Sequence, residues 1–162
     1  MPVWVLRSSY FPLGLIMGKV IALEVLSGLG AEARAAGRRV VFTNGHFDLL
    51  HVGHLRYLRA ARALGDLLVV GLNDDACTRR LKGPQRPIVP QDERAELLTA
   101  LEPVDRVVLF GTDTATELVA ALRPAIGLLG VILHAPHSFD AVDHRGGFFR
   151  DDQEREPRRR FA

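Results

Sequence analysis

The stretch DLLVVGLN (66–73) constrains the fold more than any other. A strand covered on one face alternates apolar and polar residues. A continuous apolar run of this length reads instead as a strand buried on both faces, the situation in a parallel sheet packed between helices. RRVVFTN before it and DRVVLF (105–110) after it read the same way. The segments between them carry helical spacing. HLRYLRAARALG places Leu55, Leu58, Ala61 and Leu64 on one side and Arg56, Arg59 and Arg62 on a solvated other side, and Gly65 stops it. Asp92 to Leu101 is a second helix, with Ala95, Leu97, Leu98 and Leu101 inward. Residues 20–36 carry Leu23, Leu26, Leu29 and Ala33 at helical spacing up to Gly37. DDACTRRLKG reads as a short helix or turn that Asp74 or Asp75 could cap, with Asp75 preferred. Thr114-x-x-Glu117 has the capping-box pattern ahead of ELVAALRP, which Pro124 ends.

Strand and helix in this alternation predict an α/β fold, a Rossmann-like open parallel sheet with helices on both faces. The C-terminal part is expected to be incomplete or irregular: AIGLLGVILHA offers one further strand, and no apolar periodicity follows it. The domain is read as 17–134. Residues 1–16 read as a poorly structured extension, with Met17-Gly18-Lys19 as an alternative start, and 135–162 as an irregular or disordered tail.

Composition excludes several classes. A formal charge of +2 on 162 residues is too small for a nucleic-acid binder, and PRRRFA, the one basic cluster, reads as a solvated end. The apolar N-terminus is interrupted by Arg7, Pro12 and Lys19, so it is not a membrane span, and its charge order does not suit a signal peptide. The single cysteine, Cys77, permits no internal disulfide. The cytoplasm is the expected location.

In open parallel sheets ligands bind beyond the carboxyl ends of the strands. Three polar stretches fall there: TNGHFDLLHVGH (43–54), then NDD, then FGTDT. His51 and His54 bracket Val52 and Gly53 where a strand gives way to a helix. A helix N-terminus attracts anions, a glycine lets a phosphate come close to the backbone, and imidazoles on either side can donate to its oxygens. Spacing alone leaves this nucleotide-phosphate pocket level with a plain surface pair. A zinc site built from His51, His54 and the HAPH pair His134 and His137 is disfavoured by Pro136, and no metal ligands are assigned. The P-loop, the dinucleotide fingerprint after the first strand and the G-x-S-x-G elbow are absent from the sequence.

FTNGHFDLLHVGHLRYL resembles the signature of the HxGH nucleotidyltransferases. RLKGPQRPIVPQDERAELLTALEPVDRVVLF is similar to the heptose 1-phosphate adenylyltransferases among them, which occur alone or fused to a kinase. The resemblance runs from about Lys19 to Pro124. It implies attack by a sugar 1-phosphate on the α-phosphorus of ATP, accompanied by Mg²⁺, with release of pyrophosphate. By the same resemblance His51, His54 and Lys82 are catalytic, contacting phosphate. Arg94 neutralises phosphate. Asn44 and Asp48 shape the pocket, Thr43, Gly45 and Phe47 supply backbone and wall, and Gly53 lies under the phosphates. Read without the family, Asp48 is a cap for the helix near His51. A homodimer is also implied. Two alternatives stand beside this reading: a cytidylyltransferase for a polyol or amino-alcohol phosphate, and an inactive nucleotide-binding module. Two departures from the family stand in the sequence: the first would crowd the pocket or add a phosphate donor, and the second favours the inactive module. His46 replaces a small family residue, and the KGGDY-like and RSTT-like segments expected after LRP do not stand here. The loss of pattern at Ala125 points to a frameshifted or divergent end.

Overall fold

The computed structural model describes residues 18–128 and, beyond them, two short strands at Ala141–Asp143 and Phe148–Phe149. The extension at 1–16, the HAPH pair and the basic end lie outside the described residues. Strands β1 (Val20–Ile21), β2 (Val40–Gly45), β3 (Leu67–Asn73), β4 (Arg106–Phe110), β5 (Ile126–Leu128), β6 (Ala141–Asp143) and β7 (Phe148–Phe149) form one sheet in the order β1-β4-β3-β2-β5-β6-β7. The first five are mutually parallel, and β6 and β7 are antiparallel additions. The two additions fall within the stretch whose sequence reads as a tail.

The helices are α1 (Leu26–Ala35), α2 (Val52–Ala63), α3 (Asp75–Lys82), α4 (Gln91–Ala100) and α5 (Thr116–Leu122). Alternate residues of the central strands feed two separate cores, as the two-residue period of a strand requires. Val41, Leu68, Val70, Leu72 and Val107 meet Leu58 and Ala61 of α2 and Leu98 of α4. Val40, Phe42, Val69 and Val108 meet Leu26 of α1 and Leu118 and Leu122 of α5 on the opposite face. This is the expected Rossmann-like open sheet with helices on both faces.

Several local expectations give way to tertiary contacts. Val20–Ile21 joins the sheet edge beside β4, so the helix read over 20–36 begins only at Leu26, after a single 3₁₀ turn. Lys19 secures that edge by donating to the carbonyls of Thr99 and Val104. Gly30, a weak point in any isolated helix, is where α1 crosses α5: a Cβ there would stand 2.1 Å from the Leu122 carbonyl oxygen. Leu97 points outward, while Arg94 and Thr99 are buried on the inner side of α4. The Thr114–Glu117 capping box does not form. The helix starts at Thr116 with Ala115 as its cap, and the Thr114 hydroxyl meets that of Thr116. Asp74, not Asp75, caps α3, accepting from the Cys77 N–H at 2.6 Å. Arg62 is not free on a solvated face but pairs with Asp105 at 2.9 Å. Among the described residues, no helix is long and apolar enough to cross a membrane.

Candidate active site

The chain leaves β2, pairs β3 on one side, and later returns to place β5 on the other. The carboxyl end of β2 is therefore the topological switch point, the place where open α/β sheets hold ligands. Residues 46–51 emerge there, and the ends of β3 and β4 converge on it. Asp74 donates its N–H to the Phe110 carbonyl, and Arg80 of α3 reaches the Gly111 carbonyl and the Asp113 carboxylate.

His51 is the cap of α2. Its Nδ1 accepts from the Gly53 N–H at 3.0 Å, while His54 Nδ1 accepts from the His51 N–H at 3.4 Å. With both Nδ1 lone pairs engaged, the proton of each neutral ring sits on Nε2. The rings lie 4.1 Å apart, and neither Nε2 has a hydrogen-bond partner among the described residues. Burial, helped by the nearby His51, lowers the His54 pKa, which favours this neutral donor form. Two N–H donors are thus presented side by side at the start of a twelve-residue helix.

Gly53 has a different duty from the one its position suggests. Its N–H is already held by His51, so the imidazoles rather than that amide face outward. A Cβ on Gly53 would stand 2.8 Å from the His51 ring. The glycine makes room for the capping imidazole.

Phe47 braces the pair. It is buried at a positive φ of 47°, a conformation rare for a bulky residue, and its ring centroid lies 5.4 Å from that of His54. Gly45 lies beneath it: a Cβ there would stand 3.0 Å from the Phe47 ring. Thr43 is fully buried and its hydroxyl meets Tyr57 of α2, so its side chain serves the core and not a ligand. Asn44 lies in β2, half-buried near its carboxyl end.

Asp48 does not cap α2. Its carboxylate accepts from the Ile88 N–H (2.6 Å), the Val89 N–H (3.1 Å) and Arg86 (2.7 Å), pinning the loop between α3 and α4. Burial raises its pKa, but the Val89 N–H, Arg86 and the Ile88 N–H together pull it below the usual carboxylate value.

Arg94 is the largest departure from expectation. It is fully buried, because its guanidinium is consumed inside the protein. Nε donates to the Val89 carbonyl at 2.9 Å. Nη1 donates to the carbonyls of His46 (2.6 Å) and Asn73 (2.9 Å), and Nη2 to the Asp75 carboxylate at 2.6 Å. It ties the ends of β2 and β3, α3 and the 83–90 loop into one unit. Its place on the inward side of α4, next to Ala95 and one turn before Leu98, was the signal for burial. Lys82, the last residue of α3, is exposed and makes no hydrogen bond or ion pair among the described residues. Thr78 and Arg80 also shape this end of the sheet, although nothing in their sequence setting singled them out, and Asp113 joins them from the FGTDT stretch. An open cavity of about 480 Å³ lies between Arg59, Arg62, Glu102 and Asp105, at the opposite end of the strands.

The family model for cytidylyltransferase-like proteins matches residues 42–146. The chain belongs to the cytidylyltransferase-like family. That match opens on β2, takes in His51 and His54, and extends past Pro124, where the sequence resemblance stopped. Among curated relatives, the bifunctional protein HldE of Trichlorobacter lovleyi is 58% identical over 112 residues, covering 69% of this chain and 23% of that protein. The bifunctional protein HldE of Syntrophotalea carbinolica is 60% identical over 112 residues with the same coverage. The chain therefore spans about a quarter of the length of these relatives. Among solved structures, the lipopolysaccharide core biosynthesis protein of Thermoplasma volcanium matches with a TM-score of 0.55 and 33% identity, over 61% of this chain and 80% of that one.

Proposed function

We propose that this chain transfers AMP from ATP to a sugar 1-phosphate of the heptose type, releasing pyrophosphate. The observation that carries the reading is the pair of outward Nε2–H donors of His51 and His54 at the switch point of a cytidylyltransferase-like domain. The sequence resemblance to heptose 1-phosphate adenylyltransferases, together with the likeness to the HldE proteins, supports the adenylyl version within that family.

An oxygen of the sugar phosphate attacks the α-phosphorus of ATP. The bond from that phosphorus to the oxygen bridging the β-phosphate breaks, and pyrophosphate leaves with the electron pair. The protein forms no covalent bond in this step. Its part is to position the two anions and offset the charge that grows on the phosphate oxygens. His51 and His54 donate to the ATP phosphates, each such bond to an anion being worth about 1.5–3 kcal/mol. Lys82 adds a mobile cation from the α3 side. Arg94 and Asp48 act at one remove, holding the loops that carry the donors. Mg²⁺ enters as part of the substrate, on the triphosphate. The reading keeps the protein in the cytoplasm, where ATP is supplied, and allows a homodimer.

The test is pyrophosphate release by the purified chain, with ATP or CTP offered against heptose 1-phosphate, glycerol phosphate and ethanolamine phosphate. Release with ATP and the heptose phosphate alone supports the reading. Preference for CTP and an alcohol phosphate would replace it with a cytidylyltransferase. No release with any pair, and no thermal shift with millimolar MgATP, would leave an inactive module.

A further inference from the structure

Three histidines stand at the mouth of β2, and their outward nitrogens differ in kind. His51 and His54 accept at Nδ1 and turn Nε2–H outward. His46 does the reverse. Its Nδ1 lies 3.0 Å from the Thr78 hydroxyl, and that hydroxyl donates its single proton to the Asp74 carbonyl at 2.8 Å. The Thr78 oxygen can then only accept, so His46 donates from Nδ1. In the neutral ring this leaves Nε2 as a bare acceptor. It has no partner among the described residues, and no side-chain nitrogen or oxygen described there is buried without one, so Nε2 is open to a ligand. Burial, then the charges of Lys82 and Arg94, lower the ring's pKa against the opposing pull of Asp48, which keeps it neutral.

A bare acceptor disfavours a phosphate oxygen and attracts an O–H. It stands against Thr78 of α3, and exposed Lys82 follows Thr78 by four residues, one turn along the same side of that helix. One side of the switch point thus offers a cation for a phosphate and an acceptor for a hydroxyl, while the other offers the two donors of α2. We propose that His46 is a specificity-determining residue for the second substrate: its Nε2 accepts a hydrogen bond from a hydroxyl of the sugar phosphate whose phosphate pairs with Lys82. The inference rests on transfer to a sugar phosphate as proposed above.

Nitrogen NMR of the full chain reads the tautomers directly. His46 should carry its proton on Nδ1 and His51 and His54 on Nε2, and heptose 1-phosphate should move the His46 Nε2 resonance. A proton on Nε2 of His46 would overturn the proposal. In steady-state assays His46→Phe should raise the KM for the sugar phosphate about tenfold, the scale of one lost neutral hydrogen bond. The kcat should stay within about twofold and the KM for ATP should hold. His46→Gln, which keeps an acceptor, should recover most of the loss. A fall in kcat alone, or a rise in the KM for ATP instead, would overturn it.

Calorimetric titration with heptose 1-phosphate separates this proposal from the transfer reaction. Weaker binding by His46→Phe without any pyrophosphate release by the wild type supports the His46 contact and refutes the reaction. Equal affinity in the two proteins, including none, overturns the contact whatever the turnover. If the Phe variant fails to fold, the NMR tautomer and the Gln variant decide.

Discussion

His54 and Arg94 lie at the same end of one sheet, and each carries N–H groups suited to phosphate. Their N–H groups meet opposite fates. The His54 ring accepts one backbone bond and leaves Nε2–H facing outward, whereas the guanidinium of Arg94 makes four bonds to neighbouring elements and is fully buried. The difference separates two tasks. The loop after β2 presents donors, and the Arg94 hub keeps that loop in place through the His46 carbonyl. A basic residue beside a phosphate pocket contributes by contact only when its donors are left free.

The sharpest way to break this comparison is Arg94→Ala. It removes the partner of the quarter-exposed Asp75 carboxylate and leaves three carbonyls without this donor, a loss of about 3–5 kcal/mol in all. Denaturant unfolding should show a loss of that size, and activity should fall with it. A stable Arg94→Ala protein with lost turnover would return Arg94 to the phosphates. A smaller effect is expected from Gly53→Ala. The added methyl displaces the His51 ring, so turnover should drop about tenfold or more, while the unfolding free energy falls by about 1 kcal/mol, the worth of one cap bond. Unchanged kinetics would remove His51's cap from the account.

The smallest effect belongs to Asp48→Asn, about 1 kcal/mol for weakened bonds to the 83–90 loop. Its sign with pH is fixed by the lowered pKa. The native state binds this proton less readily than the unfolded chain. The contribution is therefore present above the ordinary carboxylate value near ~4 and is lost as pH falls through the lower folded value. Asp48→Asn should flatten the acid limb of the stability profile in that window. An unchanged limb would mean that Asp48 does not hold the loop.

Much of the fold was legible because burial on both faces leaves continuous apolar runs. β2, β3 and β4 stand where RRVVFTN, DLLVVGLN and DRVVLF suggest. β1 was not legible, since two residues carry no period, and its place depends on β4 and on Lys19. The His51–His54 cluster was legible because its spacing is local, whereas the duty of Gly53, room for the capping imidazole, was not. Arg94 was legible as a residue of importance but not in its duty, because that depends on carbonyls up to 48 residues distant in the chain. The cap offered as the plain alternative for Asp48 fails for the same reason: its partners, Arg86, Ile88 and Val89, come from a loop about 40 residues later. His46 stood out in the sequence as a departure from the family. Only its bond to Thr78 shows which nitrogen it offers.

The most direct measurement is His54→Ala, with turnover and denaturant stability determined on the same preparation. Removing a donor that acts on developing phosphate charge should cut pyrophosphate release by about 10²–10³-fold. Stability should change by about 1 kcal/mol or less, because the lost side chain accepts one long bond and touches Phe47 and His51. Equal losses in turnover and in stability would contradict the account and make the histidine pair a structural cap.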